Sequence, residues 1–229
     1  MSGTLIMSFL FLTYAQNHVL ASVAINLSDY VEIQPNLFVD DMFTGEEQNQ
    51  AIVTYTEARQ RVARTYGELA SNPVVIISSN FNRAERYGVK QPVPGTIHAL
   101  PWGQYIPLND EGNNVDVLAH ELAHAETAHR VGYIKWILSL PVWFIEGVAM
   151  QVDYRERYNA SGKNLPSMST LTTGSEFHSG DITLNYTAAK YELASWLKVN
   201  SNQGLYVFLD KTRSGDDFYA TYKEFATGN

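Results

Sequence analysis

The chain contains no cysteine. That removes disulfides, thiolate metal sites and cysteine nucleophiles together, so any metal must be held by nitrogen and oxygen. Cations are scarce too: Lys and Arg total 16 against 24 Asp and Glu, a formal net charge of −8. No block of Lys or Arg occurs, which argues against a nucleic-acid partner, because phosphate binding draws on clustered cations. No internal repeat and no linker marks off a second folded domain. Long apolar runs are nearly lacking as well. Leu5 to Leu12 is apolar, with the length of a signal-peptide core, and is short for a membrane span.

Small residues suited to cleavage follow that run at Thr13-Tyr14-Ala15 and at Ser22-Val23-Ala24. No Lys or Arg precedes it, and an anchor extended to Ile25 would bury Gln16, Asn17 and His18 in lipid. Residues 1–24 are expected to be a signal peptide or membrane anchor, with an ordinary buried segment as the remaining reading. The expected location is therefore outside the cytoplasm (periplasmic, secreted or membrane-anchored), with a cytoplasmic one left open. Any membrane association would run through this N-terminal segment.

What remains, residues 25–229, is long enough for one compact domain, and 45% of the chain is hydrophobic. Val31 to Val39 reads as extended. Thr44 with Glu47 is a capping-box signal, and apolar residues from Ile52 to Leu69 recur at helical spacing, predicting a helix over about 46–69. Pro73 to Ile77 reads as a buried strand and residues 80–95 as loop. Residues 96–108 look extended but carry Pro101 and Pro107, which suits a sheet edge. Asn113 and Asn114 supply an N-cap for a helix over 115–130. Gly132 to Leu140 is an apolar connection, Pro141 opens a helix running to about Tyr154, and residues 157–184 form a long polar loop. Helices are expected over 186–199, 204–211 and 216–226.

The chemistry lies in the string Val117-Leu118-Ala119-His120-Glu121-Leu122-Ala123-His124. Histidines four apart sit one above the other on a helix, and two such imidazoles can bind one zinc ion. Glu121 lies about 100° around, beside the position where a water would sit. Zinc lowers the pKa of such a water, and a neighbouring carboxylate can take its proton. Val115, Leu118, Leu122 and Ala125 share an arc of about 80°, opposite the histidines, so one face should pack while the other lines a cleft. A third ligand should come from another element. Glu146 stands on an otherwise apolar helix, Trp143-Phe144-Ile145-Glu146-Gly147-Val148-Ala149, where a lone carboxylate is costly without a partner.

His-Glu-x-x-His followed by Trp-Phe-x-Glu-Gly-x-Ala resembles the gluzincin branch of the zincin metallopeptidases, specifically over residues 117–150. The resemblance implies an α+β zincin-like fold: a small twisted sheet with an edge strand beside the zinc helix, then a mainly helical C-terminal half. It implies one Zn2+ held by His120, His124 and Glu146, and hydrolysis of peptide or protein substrates by a metal-activated water with Glu121 as general base. Gluzincins often add a Tyr or His from the helical half to stabilise the oxyanion, which points to Tyr186, with His178 as a weaker candidate. Two departures stand out. Twenty-one residues separate His124 from Glu146, more than in thermolysin-like or aminopeptidase-like members, and the Gly-x-Met-Glu-Asn motif of the related aminopeptidases is absent.

Asp153 and Glu126 are candidates for orienting a ligand histidine, although a surface charge is the simpler reading of both. Asp153 falls seven residues after Glu146 on the same expected helical face, whereas Glu126 is about 200° from His124. His98 reads as half-buried on the edge strand, with a cleft-facing position as its alternative, His129 as a buried or helix-end histidine, and Arg130 as a partner of the helix C-terminus. The rivals to a peptidase are a non-catalytic peptide-binding or regulatory module on a zincin scaffold, and a zinc hydrolase acting on a non-peptide amide.

Overall fold

The computed structural model describes residues 17–159 and 164–227. The apolar run Leu5–Leu12, on which the leader or anchor expectation rests, lies outside the described residues, as do residues 160–163 of the polar loop. Residues 17–23 are helical (α1). Among the described residues no helix is long and apolar enough to cross a membrane. The fold is α+β with a small mixed five-stranded sheet. The chain divides into two compact units, Met1–Thr56 with Asn72–Leu118, and Glu57–Ser71 with Ala119–Asn229.

The first unit holds the sheet: β1 (Tyr30–Gln34), β2 (Leu37–Asp40), β3 (Val74–Ile77), β4 (His98–Leu100) and β5 (Gly103–Leu108), in the order β1-β2-β3-β5-β4. The inner pairings β2–β3 and β3–β5 are parallel, and the two outer pairings are antiparallel. The segment 31–39, expected as one extended stretch, is a hairpin. It turns at Asn36, whose φ of 64° lies in the left-handed region that asparagine tolerates better than most residues. The Asn36 N–H donates to the Glu32 carboxylate at 2.9 Å. Leu37, Phe38, Val39 and Val75 to Ile77 are buried, as continuous apolar runs between two neighbours should be.

Pro107 overturns one expectation. It lies in β5, which pairs with β3 on one side and β4 on the other, so the proline-bearing strand is interior. The ladder tolerates it because the Pro107 carbonyl accepts from the Thr96 N–H at 3.1 Å, on the side where β4 has already ended at His98. The missing N–H therefore falls beyond the β4 pairing. The edge is β4, and His98 sits on it half-buried, its Nε2 2.7 Å from the Tyr87 carbonyl oxygen. A short helix, α3 (Phe81–Glu85), occupies part of the expected loop 80–95.

Helix α2 (Gly45–Tyr66) begins with the expected capping box: Thr44 N–H donates to Glu47 at 2.8 Å, and Glu47 N–H donates back to the Thr44 hydroxyl at 3.3 Å. Its last turns belong to the second unit, which also contains most of α4 (Val115–Val131), then α5 (Tyr133–Leu138), α6 (Val142–Met150), α7 (Gly174–Phe177), α8 (Ile182–Ser214) and α9 (Phe218–Ala226). The expected apolar connection 132–140 is thus mostly helix. Within the expected polar loop lie α7 and two 3-10 turns, Glu156–Tyr158 and Met168–Thr170. Helix α8 breaks at Ser201 (φ 60°), close to where two separate helices were expected.

The core of this unit is aromatic. Phe144 packs against Phe208 and Phe218 with ring centroids 5.2 and 5.1 Å apart, and Trp196 stacks on Tyr222 at 5.4 Å. Burying each such ring contributes about 1.5–3 kcal/mol. This cluster holds one side of α6, and Glu146, two residues beyond Phe144, projects from roughly the other. Gly147 permits the close approach of α8: a Cβ there would meet the Ala189 carbonyl oxygen at 2.8 Å.

Candidate metal centre

Helix α4 is buried nearly all round from Val117 to Ala128. The sequence reading gave it an open face on the histidine side, but His120, Glu121 and His124 are only 6%, 8% and 5% exposed. The helix starts where expected, with the Asn114 carboxamide accepting from the Val117 N–H at 3.0 Å. Helix α6 is fixed at both ends. Its first N–H groups, which no helix can satisfy internally, donate to the Thr172 and Leu171 carbonyls at 2.9 and 3.1 Å. Near its C-terminus the buried Tyr66 hydroxyl donates to the Val148 carbonyl at 2.8 Å, and Gln151 donates to the Lys190 carbonyl of α8 at 2.9 Å.

Two helices so held bring three ligand atoms together. His120 Nε2 and His124 Nε2 are 3.0 Å apart, and Glu146 Oε2 lies 3.3 Å from the first and 3.4 Å from the second. The Glu146 side chain is 12% exposed, the most open of the three. A tetrahedral ion with ligands at about 2.0–2.1 Å separates those ligands by about 3.3 Å, so this triangle has the size of three sites around one zinc ion. An unpartnered atom tests the fit further. At one corner of the triangle, Glu146 Oε2 is buried without a hydrogen-bond partner among the described residues. A buried carboxylate oxygen facing two ring nitrogens is costly unless a cation or proton lies between them. The donor set of two imidazoles and one carboxylate suits zinc, whereas calcium and magnesium favour oxygen. The residues present fit the group; the cluster could hold one metal ion.

A carboxylate stands behind His120. Asp153 Oδ2 is 3.5 Å from His120 Nδ1, and the Asp153 side chain is wholly buried. Arg155 grips the same carboxylate, its Nε donating at 2.9 and 3.0 Å and its Nη2 also donating to Oδ2. Asp153 is therefore not a surface charge. Nor does it reach His120 from a helical face: α6 ends at Met150, and the following turn carries Asp153 back to the ring. Glu126 is 2% exposed and also buried, but it serves elsewhere, accepting from the Ala70 and Ser71 N–H groups and from Arg130 at 3.1, 2.8 and 2.6 Å.

These contacts set the protonation states of the metal-free centre. Burial alone would lower the His120 pKa, but Asp153 and Glu146 outweigh it and raise it from 6.5 to about 10. Burial would raise Glu146, and the two histidines instead hold it well below the usual carboxylate range. Asp153 is likewise held low, by His120 and Arg155 against its burial. Glu121 is pushed up, chiefly by burial, with the two histidines opposing.

Tyr186, near the start of α8, has its ring 6.1 Å from His120. Burial first, then the charge of Glu146, raises its hydroxyl well above 10. Its ring is packed by Phe177 and Tyr158 at 5.0 and 5.3 Å. His178 is exposed and bonds the Gly174 carbonyl of its own helix at 2.8 Å. His129 is exposed in the last turn of α4, the helix-end position of the two expected for it. Arg130 pairs with Glu126 and lies over the Tyr206 ring at 3.3 Å. Sequence reasoning missed Trp136, whose ring is 5.8 Å from His124, and Arg155; the two-residue spacing of Asp153 and Arg155 was the available signal for the latter. Set against protein-family models, curated proteins and solved structures, the chain gives no match.

Proposed function

We propose that this chain is a zinc-dependent peptidase of the gluzincin type, with a zincin-like fold, acting on peptide or protein substrates. The observation that carries the reading is the meeting of two ring nitrogens and a carboxylate oxygen from separate helices at 3.0, 3.3 and 3.4 Å. His120, His124 and Glu146 would hold the ion. When bound, a divalent cation supplies Lewis acidity, polarising a carbonyl and acidifying water.

The chain's own groups would do the rest. Asp153, 3.5 Å from His120 Nδ1, would favour the proton on that nitrogen and so leave Nε2 free to hold the ion. Glu121, one residue from His120 and raised in pKa by burial, would take the proton of the attacking water and pass it to the leaving amine. Tyr186 stays protonated across the neutral range, so its hydroxyl would donate to the developing oxyanion. Near-complete burial of the histidines lowers the local dielectric and strengthens each of these interactions.

The test is a metal assay of purified protein paired with a mixture-based peptide cleavage screen, with and without chelator. One zinc per chain and chelator-sensitive cleavage are expected. One zinc per chain with no turnover of a diverse library would instead support a non-catalytic binding module.

A further inference from the structure

We infer that Trp136 is the specificity-determining wall of the metal centre, receiving a bulky apolar side chain of the substrate on the His124 side of the bond that is cut. This rests on the peptidase reading and names the substrate class for that site. Helix α5 lies within the enlarged stretch between His124 and Glu146, and its placement is unusual for a packing element. Ile134, Ile137 and Leu138, one face of the helix at i, i+3 and i+4, are all exposed. Trp136 projects from roughly the opposite face and is turned in. Its indole stands edge-to-face on the His124 ring, with centroids 5.8 Å apart and planes at 71°. Hydrophobic packing alone would have buried the three aliphatics. The helix is held in this pose by Lys135, whose Nζ donates to the Thr212 carbonyl at 2.6 Å.

The two flanks of the centre differ. On the His120 side, Asp153 stands behind the ring, and Tyr186 is already packed by Phe177 and Tyr158. On the His124 side, the ring is met by the Trp136 indole, which is only half-buried and keeps open surface. An apolar group laid against that surface sheds water from both partners. A charged group would lose hydration there.

The test uses the zinc-loaded full chain and two chelating probes that differ in one side chain, a leucyl and a glycyl peptide hydroxamate, with affinity measured by calorimetry. The leucyl probe should bind roughly tenfold tighter or more. Trp136→Ala should bring that ratio close to one while zinc content and glycyl affinity hold, and Trp136→Phe should keep most of it. Equal binding of the two probes by the parent, or a ratio unchanged in both variants, overturns the inference and leaves the peptidase reading standing. Failure of both hydroxamates to bind the zinc-loaded parent removes both readings. A Trp136→Ala chain that does not fold shifts the decision to the parent ratio and to Trp136→Phe.

Discussion

His120 lies between Glu146 at its Nε2 and Asp153 at its Nδ1, and this arrangement sets how the metal-free protein responds to pH. Its raised pKa means that the associated stability is complete below 6.5 and is lost as pH climbs through about 10. Glu146 and Asp153 are displaced the other way, so their contribution is present above the usual carboxylate range and disappears in acid. Metal-free protein should therefore melt highest between those limits, with both flanks visible in Tm against pH. A cation needs the His120 lone pair that the proton occupies. Zinc binding at pH 8 should release about one proton, measured by titration calorimetry in buffers of different ionisation enthalpy. Uptake of zinc without proton release would contradict the assignment. Glu121→Gln should keep zinc and lower turnover by roughly 10²–10⁴, whereas His120→Ala should lose both, as metal analysis and a cleavage assay would show. The cluster that could hold a metal ion was legible in the sequence because i, i+4 spacing and a carboxylate in an apolar helix are local signals. The burial of Asp153 and Glu126 was not, because Arg155, Arg130 and the Ala70 and Ser71 N–H groups neutralise them through contacts that helical periodicity does not encode.

At the level of elements, the position of Glu146 depends on how closely α6 meets its neighbours. Tyr66→Phe removes the buried hydrogen bond to the Val148 carbonyl and should cost about 1–3 kcal/mol in denaturant unfolding. Gly147→Ala places a Cβ 2.8 Å from a backbone oxygen of α8, which cannot rotate away. It should cost about 1–3 kcal/mol and weaken zinc affinity as well, because Glu146 moves with the helix. If Gly147→Ala lowers stability but leaves affinity untouched, α6 does not position the ligand. Long periodic segments such as α2 and α4 were readable to within a few residues. The β1–β2 hairpin was not: Pro35 and Asn36 mark its turn, but the backbone is extended on both sides of so short a break. Helix α5 was read as a connection because a six-residue apolar segment shows too few turns for a period, and Trp136 is recognised only by what it touches.

Across the whole molecule, every residue assigned to the centre falls in the unit formed by Glu57–Ser71 and Ala119–Asn229. Metal binding should therefore be linked to the folding of that unit. At free zinc of 100 times its Kd the stabilisation is about 2.7 kcal/mol, which chelator should reverse as a drop in Tm. The most direct measurement is the zinc K-edge absorption spectrum of protein loaded with one equivalent of metal. Two imidazoles and one carboxylate at about 2.0–2.1 Å, with an imidazole lost in His124→Ala, is the expected result. A spectrum with no imidazole shell, or one unchanged in His124→Ala, would contradict the account.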